Sequence, residues 1–295
     1  MYSYNHDHLK TVFATIIREN TTSDAFLWLN EKISSLQNIN QFNTTFITLP
    51  RRTGKSKVNL TKDESTEIAG IRPNLLLKDW TIDRLARAWL LLQADASDPE
   101  KYFRNIESLF LAAEVNELVA LYSALPILAY QEKWTARCSE GIRSNIGDVL
   151  NVIMCNNPYP SENLNEAAWN QMVLKAFFTE KPVEEIIGLD ERANERLAKT
   201  LSDYAHERWA AHRNVNPLLW RCVGPFINGQ LFPDIQKLLA SENKIERDAA
   251  VLAIHQSNYS PAKKMVTEND RYEIESGKLS WELIAEKYYD YVLQQ

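Results

Sequence analysis

The sequence predicts an all-α chain of short helices packed in antiparallel pairs, and three observations lead there. Apolar residues recur at i, i+3, i+4 and i+7 along most of its length, the spacing of one face of a 3.6-residue helix. Only 8 of 295 residues are glycine, too few for glycine-rich phosphate loops or tightly turned β architecture. Ser, Thr, Asp or Asn repeatedly stands just ahead of an apolar run, where its side chain can accept from the free N–H groups of a first helical turn.

Leu9, Val12, Phe13, Ile16 and Ile17 mark a first helix. Phe26, Leu27, Leu29, Ile33 and Leu36 mark a second, opened by Thr22 or Ser23. Within 40–60 a strand is conceivable around Thr44–Leu49, and Pro50 with a basic run then makes a loop. Thr61 and Glu64 form a capping box, hydroxyl and carboxylate each satisfying a free N–H at a helix start. Thr81 caps a helix over 82–93, and Asp98-Pro99 supplies a cap and a first-turn proline for a helix over 99–112. Further helices are expected at 114–124, 132–154 with a break near Gly141, 165–178, 192–213, 217–223, 232–240, 244–256 and 280–292. Asn163 with Glu166 is expected to cap the one over 165–178.

Short connections favour stacked antiparallel neighbours. The segment ENKIERDAAVLAI at 242–254 resembles the second helix of a HEAT-type repeat, in which small residues let helices approach closely. No strict period accompanies it, so the expected fold is an irregular HEAT-like α-α superhelix. One helical domain is expected over 1–295: N-terminal helices and a basic loop over 1–80, a core over 81–256, and a tail over 257–295. The tail is polar and turn-rich until Ser280, after which Trp281, Ile284, Ala285, Tyr288 and Val292 form a face that docks on its own chain.

Composition excludes several functions. An apolar content of 45% supports one large or two small cores. A net charge of −6 argues against nucleic acid, whose phosphates need a surplus of Lys and Arg. A local basic run, Arg51, Arg52, Lys55 and Lys57, is suited to an anion, an acidic partner or peripheral contact with a membrane surface. GKSK at 54–57 lacks the first glycine of a phosphate-binding loop and follows no buried strand, which rules against an NTPase. Cys138, Cys155 and Cys222 form no CxxC pair, so neither a zinc site nor a disulfide framework is expected and a reduced, cytoplasmic setting fits. Cys222 reads as a structural thiol. The first ten residues lack the basic and apolar regions of a signal peptide, and no run reaches the 18 apolar residues of a membrane span. The histidines of HERWAAH at 206–212 are six apart and about 120° apart around a helix, so they are not a metal pair. His6-Asp7-His8 lies in a terminus expected to fray. No metal and no cofactor is expected.

The stretch from Asn165 to Arg221 carries the candidate site, because polar groups stand where apolar ones belong. Trp169, Met172, Val173, Ala176 and Phe177 make one face, Leu174 and Phe178 extend apolar cover to the other side, and Lys175 lies on a narrow polar stripe. Such a helix is expected to be central and buried, with Asn170 between its apolar patches. Leu197, Leu201, Tyr204 and Ala205 share a face of the next helix with Arg208 and His212, and an Arg there must bury its stem and find an acceptor. Asn170 and Arg208 are therefore expected to be buried and paired, a core amide and an internal ion pair being the plainer accounts. A binding groove is the sharper one, lined by Asn157 of the loop Asn156-Asn157-Pro158, Asn170, Lys175, Arg208, Trp209, Arg213 and Trp220. Aromatics would supply flat apolar contact while Lys and Arg hold a carboxylate or phosphate. Asp203 and His206, at i, i+3, are weak candidates for a general acid–base couple; a solvated surface pair is the plainer reading.

The strings SNIGDVLNVIMCNNPYP, AAWNQMVLKAFF, GLDERANERLAKTLSDYAHERWAAHR and NPLLWRCVGPF together resemble the EboA family, most clearly from about Trp80 to Ala253, with PRRTGK at 50–55 similar to its N-terminal part. Residues 1–40 and 257–295 match poorly. The resemblance implies a bacterial protein encoded beside a prenyltransferase-like membrane protein, a TatD-like hydrolase and a sugar-phosphate-isomerase-like protein, in clusters linked to the traffic of secondary-metabolite precursors. It assigns no reaction. The expected function is a soluble accessory that binds a small anionic or aromatic precursor or another protein of its cluster. The alternatives are an enzyme using the Asp–His pair, and a protein–protein adaptor without a small ligand.

Overall fold

The computed structural model describes residues 1–36 and 38–293 and is all-α. Its one β feature among the described residues is an isolated antiparallel bridge between Lys57 and Thr81. The chain divides into two compact units, Met1–Asn165 and Glu166–Gln295.

The first unit holds α1 (His6–Glu19), α2 (Ser23–Ser34), α3 (Ile39–Thr48), α4 (Pro50–Thr53), α5 (Lys62–Ile71), α6 (Ile82–Leu91), α7 (Pro99–Ala112), α8 (Val115–Ser123), α9 (Thr135–Arg143), α10 (Gly147–Met154) and α11 (Tyr159–Asn163). Its centre is α6, buried on nearly all sides. Leu9, Val12, Phe13, Ile16 and Ile17 of α1 pack on one side of it and α8 packs on another. The N-terminus expected to fray is anchored instead. The Tyr4 hydroxyl donates to Ile127 O at 2.6 Å, and the His6 ring stacks on Tyr2 and bonds Leu92 O at 2.8 Å.

The segment around Thr44–Leu49 is helix rather than strand. Asn38 caps α3 by accepting from Gln41 N, and Phe42, Thr45, Phe46 and Leu49 bury one helical face. Helical spacing of the apolar groups decides this against the β-branched composition. The break expected near Gly141 falls after Arg143, because Gly141 sits inside α9 where the helix presses against Tyr122 and Ile153. The Thr61–Glu64 capping box is present. Asn163 belongs to α11 and donates to Tyr159 O at 3.1 Å rather than capping the next helix with Glu166.

The second unit holds α12 (Glu166–Phe178), α13 (Glu195–Ala210), α14 (Leu219–Val223), α15 (Phe232–Leu239), α16 (Lys244–Gln256), α17 (Ser260–Lys263), α18 (Glu268–Glu275) and α19 (Trp281–Leu293). The helix expected to be central, α12, buries only one face and leaves Phe178 70% exposed. The central place belongs to α16, whose residues 248–254 are all buried and which packs against α14, α15 and α19. Ala249, Ala250 and Ala253 let those neighbours approach. The terminal helix α19 docks through Trp281, Ile284 and Ala285. The polar stretch ahead of it contains α18, opened by a Thr267–Asp270 capping box. Among the described residues no helix is long and apolar enough to cross a membrane.

Candidate functional site

The last turns of α13 and the following chain frame a cleft of about 430 Å³ in the second unit. Phe177 and Glu180 line it from the end of α12, Tyr204, Arg208, His212, Arg213, Asn214 and Asn216 from α13 and its exit, and Tyr288, Tyr289 and Val292 from α19. The buried face of α13 is Leu197, Ala198, Leu201, Ser202 and Ala205. That rotation leaves Tyr204 and Arg208 half-buried at the edge of the face, which is why they line a cleft instead of filling a core.

Two arginines give the cleft its charge. Arg208 Nε donates to Asn214 O at 2.7 Å, and its guanidinium lies 6.0 Å from the centre of the Tyr204 ring. Asn214 holds it through a backbone oxygen, and among the described residues Arg208 makes no ion pair. Arg213 is exposed and makes no ion pair among the described residues. Helix α13 ends at Ala210, and His212 takes a positive φ of 53° that turns the chain so that Arg213 faces the same cleft. The tyrosines are partly desolvated. Burial raises the Tyr288 hydroxyl pKa, with Glu180 reinforcing the shift and Arg208 opposing it. Burial also raises Tyr289, whose hydroxyl donates to Glu184 Oε2 at 2.9 Å. Both remain neutral donors at physiological pH. The cleft can thus hold an anion on guanidinium groups and flat apolar surface on tyrosine rings.

The residues singled out from sequence are only partly brought together here. Arg208 and Arg213 share the cleft, although Arg208 is half-buried and bound to a carbonyl rather than buried in an ion pair. Asn170 is half-buried, not buried, and forms a reciprocal amide pair with Asn194 at 2.9 and 3.0 Å. Lys175 is half-buried and does not line the cleft. Trp209 points elsewhere, stacked on Trp220 at 5.7 Å with Lys237 Nζ 3.6 Å above its ring. Trp220 is fully buried, out of reach of a ligand. Asn157 belongs to the first unit and is buried. It donates to Tyr122 O and Val152 O and accepts from Tyr159 N, which leaves its amide engaged by its own loop.

The acid–base couple is also different. Asp203 is exposed, and His206 bonds Asp234 of α15 at 2.6 Å instead. Asp234 is buried, and its other oxygen accepts from Ser202 at 2.6 Å. The carboxylate orients an exposed imidazole, and neither group lines the cleft. Cys222 and Cys138 are buried free thiols whose pKa burial pushes up to about 12, which makes them inert at neutral pH. Among the described residues no three of His, Cys, Asp and Glu converge as a metal cluster would require. The basic run is split. Arg52 lies over the Trp28 ring, Lys57 pairs with Asp79, and Arg51 and Lys55 line a separate cleft of the first unit.

Sequence reasoning missed Tyr288 and Tyr289 as site residues, and with them Asn214, Asn216 and Glu180. The YY of the terminal helix was the available signal, since one helix cannot bury two adjacent tyrosines on one face.

No curated protein and no solved structure matches the chain significantly. A family model described as metabolite traffic protein EboA matches residues 9–224. The match begins well before residue 40, where similarity was expected to be poor, and takes in both arginines of the cleft but not its α19 wall. Spanning more than half of the chain, it shows that the protein belongs to the EboA family.

Proposed function

We propose that the protein serves metabolite traffic by binding a small anionic metabolite with an aromatic or prenyl body in the cleft of the second unit. The observation that carries this reading is the pair Arg208 and Arg213, neither in an ion pair among the described residues, opening onto one tyrosine-walled cleft of about 430 Å³. A guanidinium already oriented by a carbonyl loses little rotamer freedom on meeting an anion, and tyrosines add apolar contact at low entropic cost. Glu180 also lines the cleft and disfavours a second negative centre, so the charge of the ligand belongs on Arg208 and Arg213 and its body against Phe177, Tyr288 and Val292.

The test is a titration, followed by calorimetry, with 4-hydroxybenzoate, phenyl phosphate and farnesyl diphosphate. Saturable binding of at least one is expected, weakened about tenfold or more in Arg208→Ala/Arg213→Ala, because removing charge partners from a partly desolvated contact costs on the order of 2 kcal/mol. Arg208 is half-buried and Arg213 exposed, so the circular dichroism spectrum should not change. Absence of binding to all three, or affinity unaltered in the double variant, would refute the proposal.

A further inference from the structure

The first unit contains a cleft of about 460 Å³ whose floor is an arginine with unused donors. Arg87 rises from α6 with its side chain only 3% exposed. Its Nε donates to Phe46 O at 3.0 Å and its Nη1 to Asp83 Oδ2 at 3.0 Å. Among the described residues its Nη2 makes no hydrogen bond: Glu117 Oε1 stands 3.8 Å away, within ion-pair range but too far for a hydrogen bond. The other oxygen of Glu117, Oε2, accepts from Glu114 N at 3.0 Å and helps close the first turn of α8, which holds the carboxylate at that distance. A buried guanidinium with an open donor edge is costly unless something completes it.

Arg51 and Lys55 line the same cleft, and both are exposed without an ion pair or hydrogen bond among the described residues. They come from α4 and the turn after it. Adjacent α4 residues point about 100° apart, so Arg51 faces this cleft while Arg52 reaches Trp28. With Asp83, which pairs with Arg87, three cations stand among three carboxylates, Asp83, Glu114 and Glu117. The positive charge without an ion pair among the described residues is that of Arg51 and Lys55, whereas Asp83 and Glu117 stay beside Arg87.

We propose that this cleft is a second anion site that takes a phosphate or phosphate monoester, with Arg87 Nη2 as its buried donor and Arg51 and Lys55 as its charged rim. The chemistry is shared by a free phosphorylated molecule and by the phosphate headgroup of a lipid. It is independent of the cleft in the second unit.

The experiment uses full-length protein carrying Arg208→Ala/Arg213→Ala, which silences the other cleft, and titrates it with inorganic pyrophosphate at low ionic strength. Saturable binding is expected, weakened about tenfold or more by further Arg51→Gln/Lys55→Gln, since both side chains are exposed and their loss leaves the fold intact. A second variant, Arg87→Lys, keeps the buried charge but not the open edge, and should weaken binding as well. No saturable binding at millimolar pyrophosphate, or full affinity after Arg51→Gln/Lys55→Gln, overturns the proposal. Sedimentation with phosphatidylcholine vesicles containing phosphatidic acid then separates the two sources. Pelleting that pyrophosphate reverses supports a lipid headgroup, and pyrophosphate binding without pelleting supports a free phosphate.

Discussion

Asn194 holds two structures together at once. Its Oδ1 accepts from Leu197 N at 2.9 Å, capping α13, and its amide group exchanges hydrogen bonds with Asn170 of α12. Loss of an N-cap costs about 1 kcal/mol, and loss of a partly buried amide pair adds about as much. Asn194→Ala should therefore destabilise the protein by about 2 kcal/mol. Asn170→Leu should cost about half of that, because water can reach the half-buried amide left behind. Urea midpoints compare the two directly, and an Asn170 variant less stable than the Asn194 variant would contradict this division. At this scale the sequence shows need better than it shows partner. An amide between apolar patches must be satisfied, yet nothing in the spacing of α12 points 24 residues ahead to a cap. The partner of His206 was hidden for the same reason. Helical spacing offered Asp203 to His206, whereas the carboxylate came from α15 as Asp234. Arg208 and Arg213 were legible as misplaced cations, but the tyrosines opposite them lie some 80 residues on, beyond any local pattern.

Two glycines fix how closely helical elements approach, and they differ in what stands opposite. A Cβ on Gly224 would lie 2.8 Å from Ala253 O and 2.9 Å from Ala253 Cα, both backbone atoms of α16. A Cβ on Gly141 would lie 2.4 Å from the Ile153 terminal methyl and 2.7 Å from the Tyr122 ring, both side chains. Backbone cannot swing aside, and overpacking of this kind typically costs about 1–3 kcal/mol. Gly224→Ala should fall at the upper end of that range. Gly141→Ala should fall at the lower end, since Ile153 can change rotamer and alanine gains up to about 1 kcal/mol of helix propensity within α9. Thermal midpoints rank the pair, and a larger loss in the Gly141 variant would refute the ranking. Elements themselves were largely readable where caps and periodicity agree, as over 99–112 and 244–256. They were misread where one signal stood alone. The β-branched composition of 44–48 suggested a strand while the cap at Asn38 went unread, and the polar composition of 257–279 hid the Thr267–Asp270 box of α18.

Both compact units keep buried thiols and tyrosine hydroxyls uncharged, and that sets the molecule's response to alkali. An apolar content of 45% left one core or two equally open, and no change of composition marks the boundary between Asn165 and Glu166. Net charge was equally silent about place, since a chain of −6 lines a cleft in each unit with arginine. Burial is what distributes these groups. In the first unit Cys138, Tyr2 and Tyr122 are pushed up to about 12 chiefly by burial, and in the second Cys222 is pushed up to about 12 by burial. An unfolded thiol releases its proton near pH 9, whereas the native thiol keeps it, so between pH 9 and 12 the unfolded state binds fewer protons than the native one. Stability must then fall as pH rises through that window, by up to about 1.4 kcal/mol per pH unit for each such thiol, while below pH 9 these groups impose no pH dependence. Chemical denaturation between pH 7 and pH 11 should show a plateau and then a decline. Cys138→Ala should make the decline shallower for the first unit and Cys222→Ala for the second, whatever each substitution costs at neutral pH. A decline of the same slope in both variants and in the natural sequence would show that the thiols are not the groups held neutral by burial.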